Sequence, residues 1–306
     1  MSWQAVARKE FRDAIRSRWL HGSTLFFALF LGGAAALFFG VLIGPEGRQV
    51  SNLFGFFANL GVFSFSFPGL LALVLGFIAL STSYGSITGE RETGSIKLLL
   101  SLPNSRLDAV VGKFLGRSAV VVAALLAGFL FVFVVLVATG TRLQLGSFVP
   151  QVALTALLGM AFVSIGLGIS ALAGSNREAT LATMGLYLIF AVLWGSVSEG
   201  IPKLINYAAE QMGVGGVSEL TRVKLGVFLK YLNPLKAYET LAAELYYSPA
   251  QARLVSATFG EQTVLGPVFQ ESIPFYFSGG FLFVVLLLWI VLPVAVGYWA
   301  FERDDL

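Results

Sequence analysis

The chain has 306 residues, 57% of them hydrophobic and only 12% charged, with a mean hydropathy of +0.82. Soluble domains carry roughly twice that charged fraction, so the composition excludes an ordinary soluble enzyme and indicates an integral membrane protein. A net charge of +3, with the basic residues beside apolar segments rather than on a module of their own, argues against a nucleic-acid partner. The absence of Cys excludes disulfides, thiolate metal sites and a Cys nucleophile.

The chain opens SWQAVARKEFRDAIRSRWLHG, with no small-residue cleavage pattern before the first apolar run, so no cleavable signal peptide is expected. Trp3, Ala7, Phe11, Ile15 and Trp19 recur at i+4 steps with Val6 and Ala14 beside them, while Arg8, Lys9, Arg12, Asp13 and Arg16 face the other way. The pattern predicts a basic amphipathic helix of about five turns, an elbow over residues 1–21 that feeds straight into the first span. Its Trp residues suit the headgroup region and its basic face suits an anionic inner leaflet.

Six apolar segments follow, at Gly22–Gly44, Phe67–Thr88, Ser118–Thr139, Phe148–Ala173, Ala179–Val197 and Ser278–Phe301, and none contains Asp, Glu, Lys or Arg. Each suits a span of roughly 20 residues. The fold expected is therefore an all-α membrane protein with six transmembrane helices. Between spans one and two, Ser51–Phe67 is Phe-rich and reads as a short interfacial helix, with Pro68 near the start of the true span. Placing the N-terminus inside puts twelve Lys and Arg in the inner stretches and only Arg48 and Arg142 in the short outer loops. That bias predicts cytoplasmic termini and a plasma-membrane location. The long segment 198–277 then lies outside. Within it Leu220, Val223, Val227, Tyr231 and then Leu235, Tyr238, Leu241, Leu245 predict amphipathic helices resting on the membrane or on the bundle.

Residues 89–107, between spans two and three, form the densest charged stretch. Helix can run through Glu90, Arg91 and Glu92 until Gly94 breaks it. Ser95 can cap a short helix from Ile96 to Leu102, which Pro103 ends. Ser105 and Asp108 form a Ser-x-x-Asp capping box for the next span. The short helix is apolar yet lies beyond the bilayer, so either the underside of the bundle or a separate protein must bury it.

The stretch Gly-Glu-Arg-Glu-x-Gly-Ser-x-x-x-Leu-Leu-Ser-x-Pro at residues 89–103, followed by Lys113, resembles the cytoplasmic loop of ABC-2 type transporter permeases. The resemblance extends to the N-terminal amphipathic helix, the six-span layout, Asn233-Pro234-Leu235 in the long outer segment, and the tail Phe301-Glu302-Arg303-Asp304. Within that family the chain looks closest to the branch of nitrous-oxide-reductase maturation and efflux permeases. The resemblance implies one ABC-2 transmembrane domain over 1–306, acting as the permease subunit of an ATP-driven exporter. It implies two copies of a separate ATPase subunit and a second permease subunit, the same or different, as partners beside membrane lipid. The loop would be a coupling helix seated on the ATPase. Glu90, Arg91 and Glu92 would make ion pairs at the rim, Ile96, Leu99 and Leu100 the apolar knob, and Gly94, Ser95 and Pro103 the corners.

Catalytic motifs are missing. Lys113 follows Gly112, but Phe114 stands where a P-loop needs Ser or Thr, so no ATP hydrolysis, catalytic residue, cofactor or metal is expected in this chain. His21, the sole His, sits at a span boundary as an interfacial residue. Gly40/Gly44, Gly85/Gly89 and Gly112/Gly116 repeat the small-residue spacing of close helix packing. The competing class is an ATPase-independent secondary transporter or channel. It ordinarily needs ionisable groups within the spans, and these segments hold none.

Overall fold

The computed structural model describes residues 3–44, 48–50, 52, 66–95, 105–142, 144–213, 215–255 and 274–303. Among them the chain is all helix, and six helices are long and apolar enough to cross a membrane: Leu20–Leu42, Phe67–Glu92, Arg106–Ala138, Leu145–Leu172, Asn176–Gln211 and Gly279–Glu302. Trp3 and Glu302 both bond to the start of span three, at one end of the bundle. The proposed interfacial helix over 51–67 falls almost wholly outside the described residues.

Span four is the axis, packed by spans two, three and six. Two-thirds of its apolar window is buried, against 11% for span five. Close approach explains its place. A side chain at Gly168 would put its Cβ 2.6 Å from the Pro293 carbonyl oxygen of span six, and one at Gly159 would put it 3.1 Å from Val121 of span three. Ser164 Oγ donates to the Ile290 carbonyl at 2.7 Å beside Pro293, where span six lacks one amide donor. The outer faces of spans one and five carry exposed Leu25, Leu29, Leu181, Met184, Leu188 and Val192, the pattern expected of a lipid-facing surface.

Span two starts as its sequence predicts: Ser66 caps it by accepting the Gly69 N–H at 3.2 Å, and Pro68 lies in the first turn, where its missing N–H costs nothing. Span three starts earlier than its apolar run. Its helix covers Arg106–Ala138, 33 residues, and opens with the complete Ser105/Asp108 capping box. At 1.5 Å per residue it is about 50 Å long, well beyond the roughly 30 Å hydrocarbon core, so its first turns stand outside the membrane.

The N-terminal helix, Trp3–Ile15, is shorter than its pattern predicts. A turn at Arg16–Ser17, closed by the Ser17 N–H onto the Ala14 carbonyl, separates it from the helix that begins at Arg18. The apolar stripe is divided. Val6 and Ala7 pack on Gly112 and Gly116 of span three, where the absence of side chains lets the backbones meet, while Trp3 and Ile15 stay exposed. Of the three glycine pairs singled out in the sequence, this one packs helix on helix at both members; Gly85 meets the Asn176 side chain, and among the described residues no atom would crowd a side chain at Gly40, Gly44 or Gly89.

Span five also departs from its expected end at Val197. The helix runs on to Gln211, with one wide turn at Ile189–Leu193. Beyond the apolar run it is supported by pairs four residues apart, Glu199–Lys203 at 3.3 Å and Asn206–Glu210 at 2.7 Å, and it stops ahead of Gly213, whose φ is +70°. Helices then occupy Glu219–Tyr231 and Pro234–Glu244. The second does not rest on the surface. Nearly every residue of it is buried, and it wedges among spans two, four and six. Asn233 sets its entry: its side chain accepts the Leu235 N–H and donates to the Phe190 carbonyl in the wide turn of span five, both at 2.8 Å.

Candidate functional site

The stem of the loop between spans two and three carries three consecutive charged residues, Glu90, Arg91 and Glu92. The helix of span two stops at Ser83, turns through Tyr84–Ile87 and resumes as Thr88–Glu92. The interruption has a cause in span four. Ser170 Oγ accepts the N–H groups of Ile87 and Thr88 at 2.9 and 3.2 Å, taking donors that a continuous helix would use itself. The resumed helix ends at Gly94, whose φ of +71° is the left-handed conformation that favours glycine.

Each charge on this short helix meets the pole of a neighbouring helix or an opposite charge. Arg91 donates to the Ala173 and Ala171 carbonyls at 3.1 and 3.2 Å, at the negative C-terminal end of span four. Glu92 accepts the Asn176 N–H at 2.7 Å, at the positive N-terminal end of span five. Glu90 lies 2.7 Å from Lys113 of span three and 3.6 Å from Lys9. Lys113 in turn lies 2.9 Å from Glu10, which Arg117 also approaches at 3.1 Å. Burial pushes the Glu10 carboxyl up, but Lys113 and Arg117 beside it outweigh that and hold it below its usual value.

The far flank of the loop is fastened in the same way. Arg106 donates to the Phe301 and Glu302 carbonyls at 2.6 and 2.7 Å, at the C-terminal end of span six. The guanidinium groups of Arg91 and Arg106 both lie over the Phe301 ring, 5.7 and 5.6 Å from its centre. Asp108 accepts the Trp3 N–H at 2.9 Å, pinning the start of the N-terminal helix. The two flanks are thus tied to spans four, five and six and to the N-terminal helix.

Of the residues singled out in the sequence, Glu90, Arg91, Glu92 and Gly94 sit together on the near flank, and Ser95 Oγ lies 2.9 Å from Thr93 Oγ1. Ile96, Leu99, Leu100 and Pro103 lie outside the described residues. His21 bonds the Ser17 carbonyl at 2.9 Å, beside the turn before span one.

A second polar group was not legible. Gln151 and Thr155 of span four meet the Tyr238 hydroxyl at 2.8 and 2.9 Å. Ser66 bonds Glu239, which also pairs with Lys236 at 2.9 Å, and Glu239 is 2% exposed. Besides Lys113 of span three, an ionisable group therefore enters the bundle on the wedged helix. The signal was the Asn-Pro start followed by Lys236 and Glu239 three residues apart on one helix face.

Six apolar helices around a buried axis, with a charged loop stem clamped to the helix ends, define a multi-pass membrane protein. The chain matches the family described as ABC-2 family transporter protein over residues 4–306 and belongs to it. It is similar to the probable ABC transporter permease protein NosY of Pseudomonas aeruginosa, 27% identical over 302 residues and 97% of each chain. It is also similar to the probable ABC transporter permease protein NosY of Stutzerimonas stutzeri, 29% identical over 199 residues, covering 63% of this chain and 67% of that protein.

Proposed function

We propose that this chain is the permease subunit of an ATP-driven exporter in the plasma membrane, with both termini cytoplasmic and residues 89–107 docking a separate ATPase. Two permease subunits would line the path and two ATPase subunits would drive it. One observation carries the coupling: the loop's flanks, Glu90–Glu92 and Ser105–Asp108, are bonded to the ends of spans four, five and six. A push on the loop would reach three spans at once. Glu90 and Arg91, engaged within the chain, would stiffen the stem from behind. Glu92, bonded to the Asn176 N–H yet exposed, would face the partner's rim, and Ile96, Leu99 and Leu100 would fill its cleft between corners at Gly94, Ser95 and Pro103. The direction of transport rests on the resemblance to efflux permeases.

An ATPase-independent carrier is the second reading, and buried Glu239 with Lys236 is the feature that favours it. Leu99→Asp separates the two. A carboxylate forced into an apolar cleft costs several kcal/mol, and each 1.4 kcal/mol is about a tenfold loss of affinity. Co-purification of an ATPase encoded beside this chain should be lost in Leu99→Asp while the protein still inserts. Glu92→Ala should weaken association only slightly, since a rim pair contributes about 0–1 kcal/mol. Undiminished association with transport intact would sink the coupling role and favour the carrier.

A further inference from the structure

The turn at Arg16–Ser17 leaves a cavity of about 300 Å³ in the inner corner between the N-terminal helix, span two and span three. It lies where a charged helix gives way to an apolar span, the level of lipid headgroups. Leu20 and Val120 line its apolar side, while Glu10, Asp13, Ser81, Thr82 and Arg117 line its polar side.

The polar groups are unevenly matched. Ser81 Oγ donates its proton to the Phe77 carbonyl at 2.8 Å and Thr82 Oγ1 donates to Ala79 at 2.7 Å, so both hydroxyls have only lone pairs left to offer. Asp13 is exposed and meets no partner among the described residues. Glu10 is already neutralised by Lys113 and Arg117. Arg117 bonds the Thr82 carbonyl through Nη1 and approaches Glu10 through Nε, which leaves Nη2 as the open cationic donor. The cavity therefore asks for a ligand with N–H donors on a cation, one anionic group and an apolar tail.

We propose that it seats the headgroup of an aminophospholipid such as phosphatidylethanolamine. The phosphate meets Arg117, the primary ammonium meets Asp13 and Ser81, and an acyl chain passes Leu20 and Val120. A phosphatidylcholine headgroup has no N–H to give these acceptors. Phosphatidylglycerol brings a phosphate for Arg117 but no ammonium for Asp13.

The test uses the purified full-length chain in neutral detergent with equimolar phosphatidylethanolamine, phosphatidylcholine and phosphatidylglycerol of identical acyl chains. Bound lipid is read by native mass spectrometry. Phosphatidylethanolamine should be retained about tenfold over either competitor, the difference made by one charge-assisted hydrogen bond. Asp13→Asn should erase that preference. Because Asp13 is exposed and unpaired, this variant should keep the wild-type elution profile, and Glu199→Gln at the far end of the bundle should retain the preference. Equal retention of the three lipids by the wild type, or an unchanged preference in Asp13→Asn, would overturn the proposal. Displacement by an equal concentration of soluble phosphoethanolamine would overturn the lipid as the source of the headgroup. No ATPase enters the experiment, so its outcome is independent of the coupling reading.

Discussion

Between Glu10 and Glu90 the Lys113 ammonium lies 2.9 and 2.7 Å from the two carboxylates, and the side chain is only 1% exposed. Removing one partner of a buried charge group strands the rest. Such a break typically costs roughly 3–5 kcal/mol. Lys113→Met should fall at the low end of that range, because Arg117 still reaches Glu10. Lys203→Met is the comparison: its pair with Glu199 is 70% and 64% exposed, and an i,i+4 surface pair contributes about 0.3–0.5 kcal/mol. Unfolding in mixed detergent should show Lys113→Met markedly destabilised and Lys203→Met almost unchanged. Equal losses in the two variants would mean that the cluster is not a structural node.

Around Gly168, Pro293 and Gly297, spans four and six meet backbone to backbone. A Cβ at Gly168 would lie 2.6 and 3.1 Å from the carbonyl atoms of Pro293, and one at Gly297 would lie 3.0 Å from the Gly168 Cα. Backbone cannot swing aside as a flexible side chain does, so Gly168→Val must part the two helices. Overpacking of this kind costs typically about 1–3 kcal/mol. Gly185 of span five meets nothing within 4 Å, and Gly185→Ala should be neutral or stabilising by up to about 1 kcal/mol through backbone entropy. Thermal denaturation of the two purified variants checks the contrast. The same close contact explains how a bond from Arg106 to the end of span six can be felt in span four.

Six crossings would place the loop stem and the Glu219–Tyr231 helix on opposite faces of the membrane. The chain contains no Cys, so single thiols can be introduced without background. Thr93 and Thr221 are both exposed and suit the purpose. In right-side-out vesicles an impermeant thiol reagent should label Thr221→Cys at once and Thr93→Cys only after permeabilisation. Labelling of both before permeabilisation would refute the topology, and the reverse order would invert the orientation that the Lys and Arg bias implies.

The sequence by itself determined the number of spans, the all-helical class, the start of span two beside Pro68, the capping box at Ser105–Asp108 and the family. These follow from composition, apolar run length and local capping, which act over a few residues and need no partner. Only the tertiary structure decided that the helix of span five runs past its apolar stretch to Gln211. Hydropathy marks the limits of an apolar run, and a helix can continue past it on capping and i,i+4 pairs, as at Arg106–Arg117 and Glu199–Gln211. Tertiary structure also decided that Pro234–Glu244 enters the bundle instead of lying on it. An amphipathic pattern says which face is apolar and is silent on what covers that face. The charges of the loop stem show the same division. Their density was visible in Glu90, Arg91 and Glu92, but their partners are Lys113, the Ala171 and Ala173 carbonyls and the Asn176 amide, 23 to 84 positions away. Contacts at that separation arise only when the spans pack, and no local pattern encodes them.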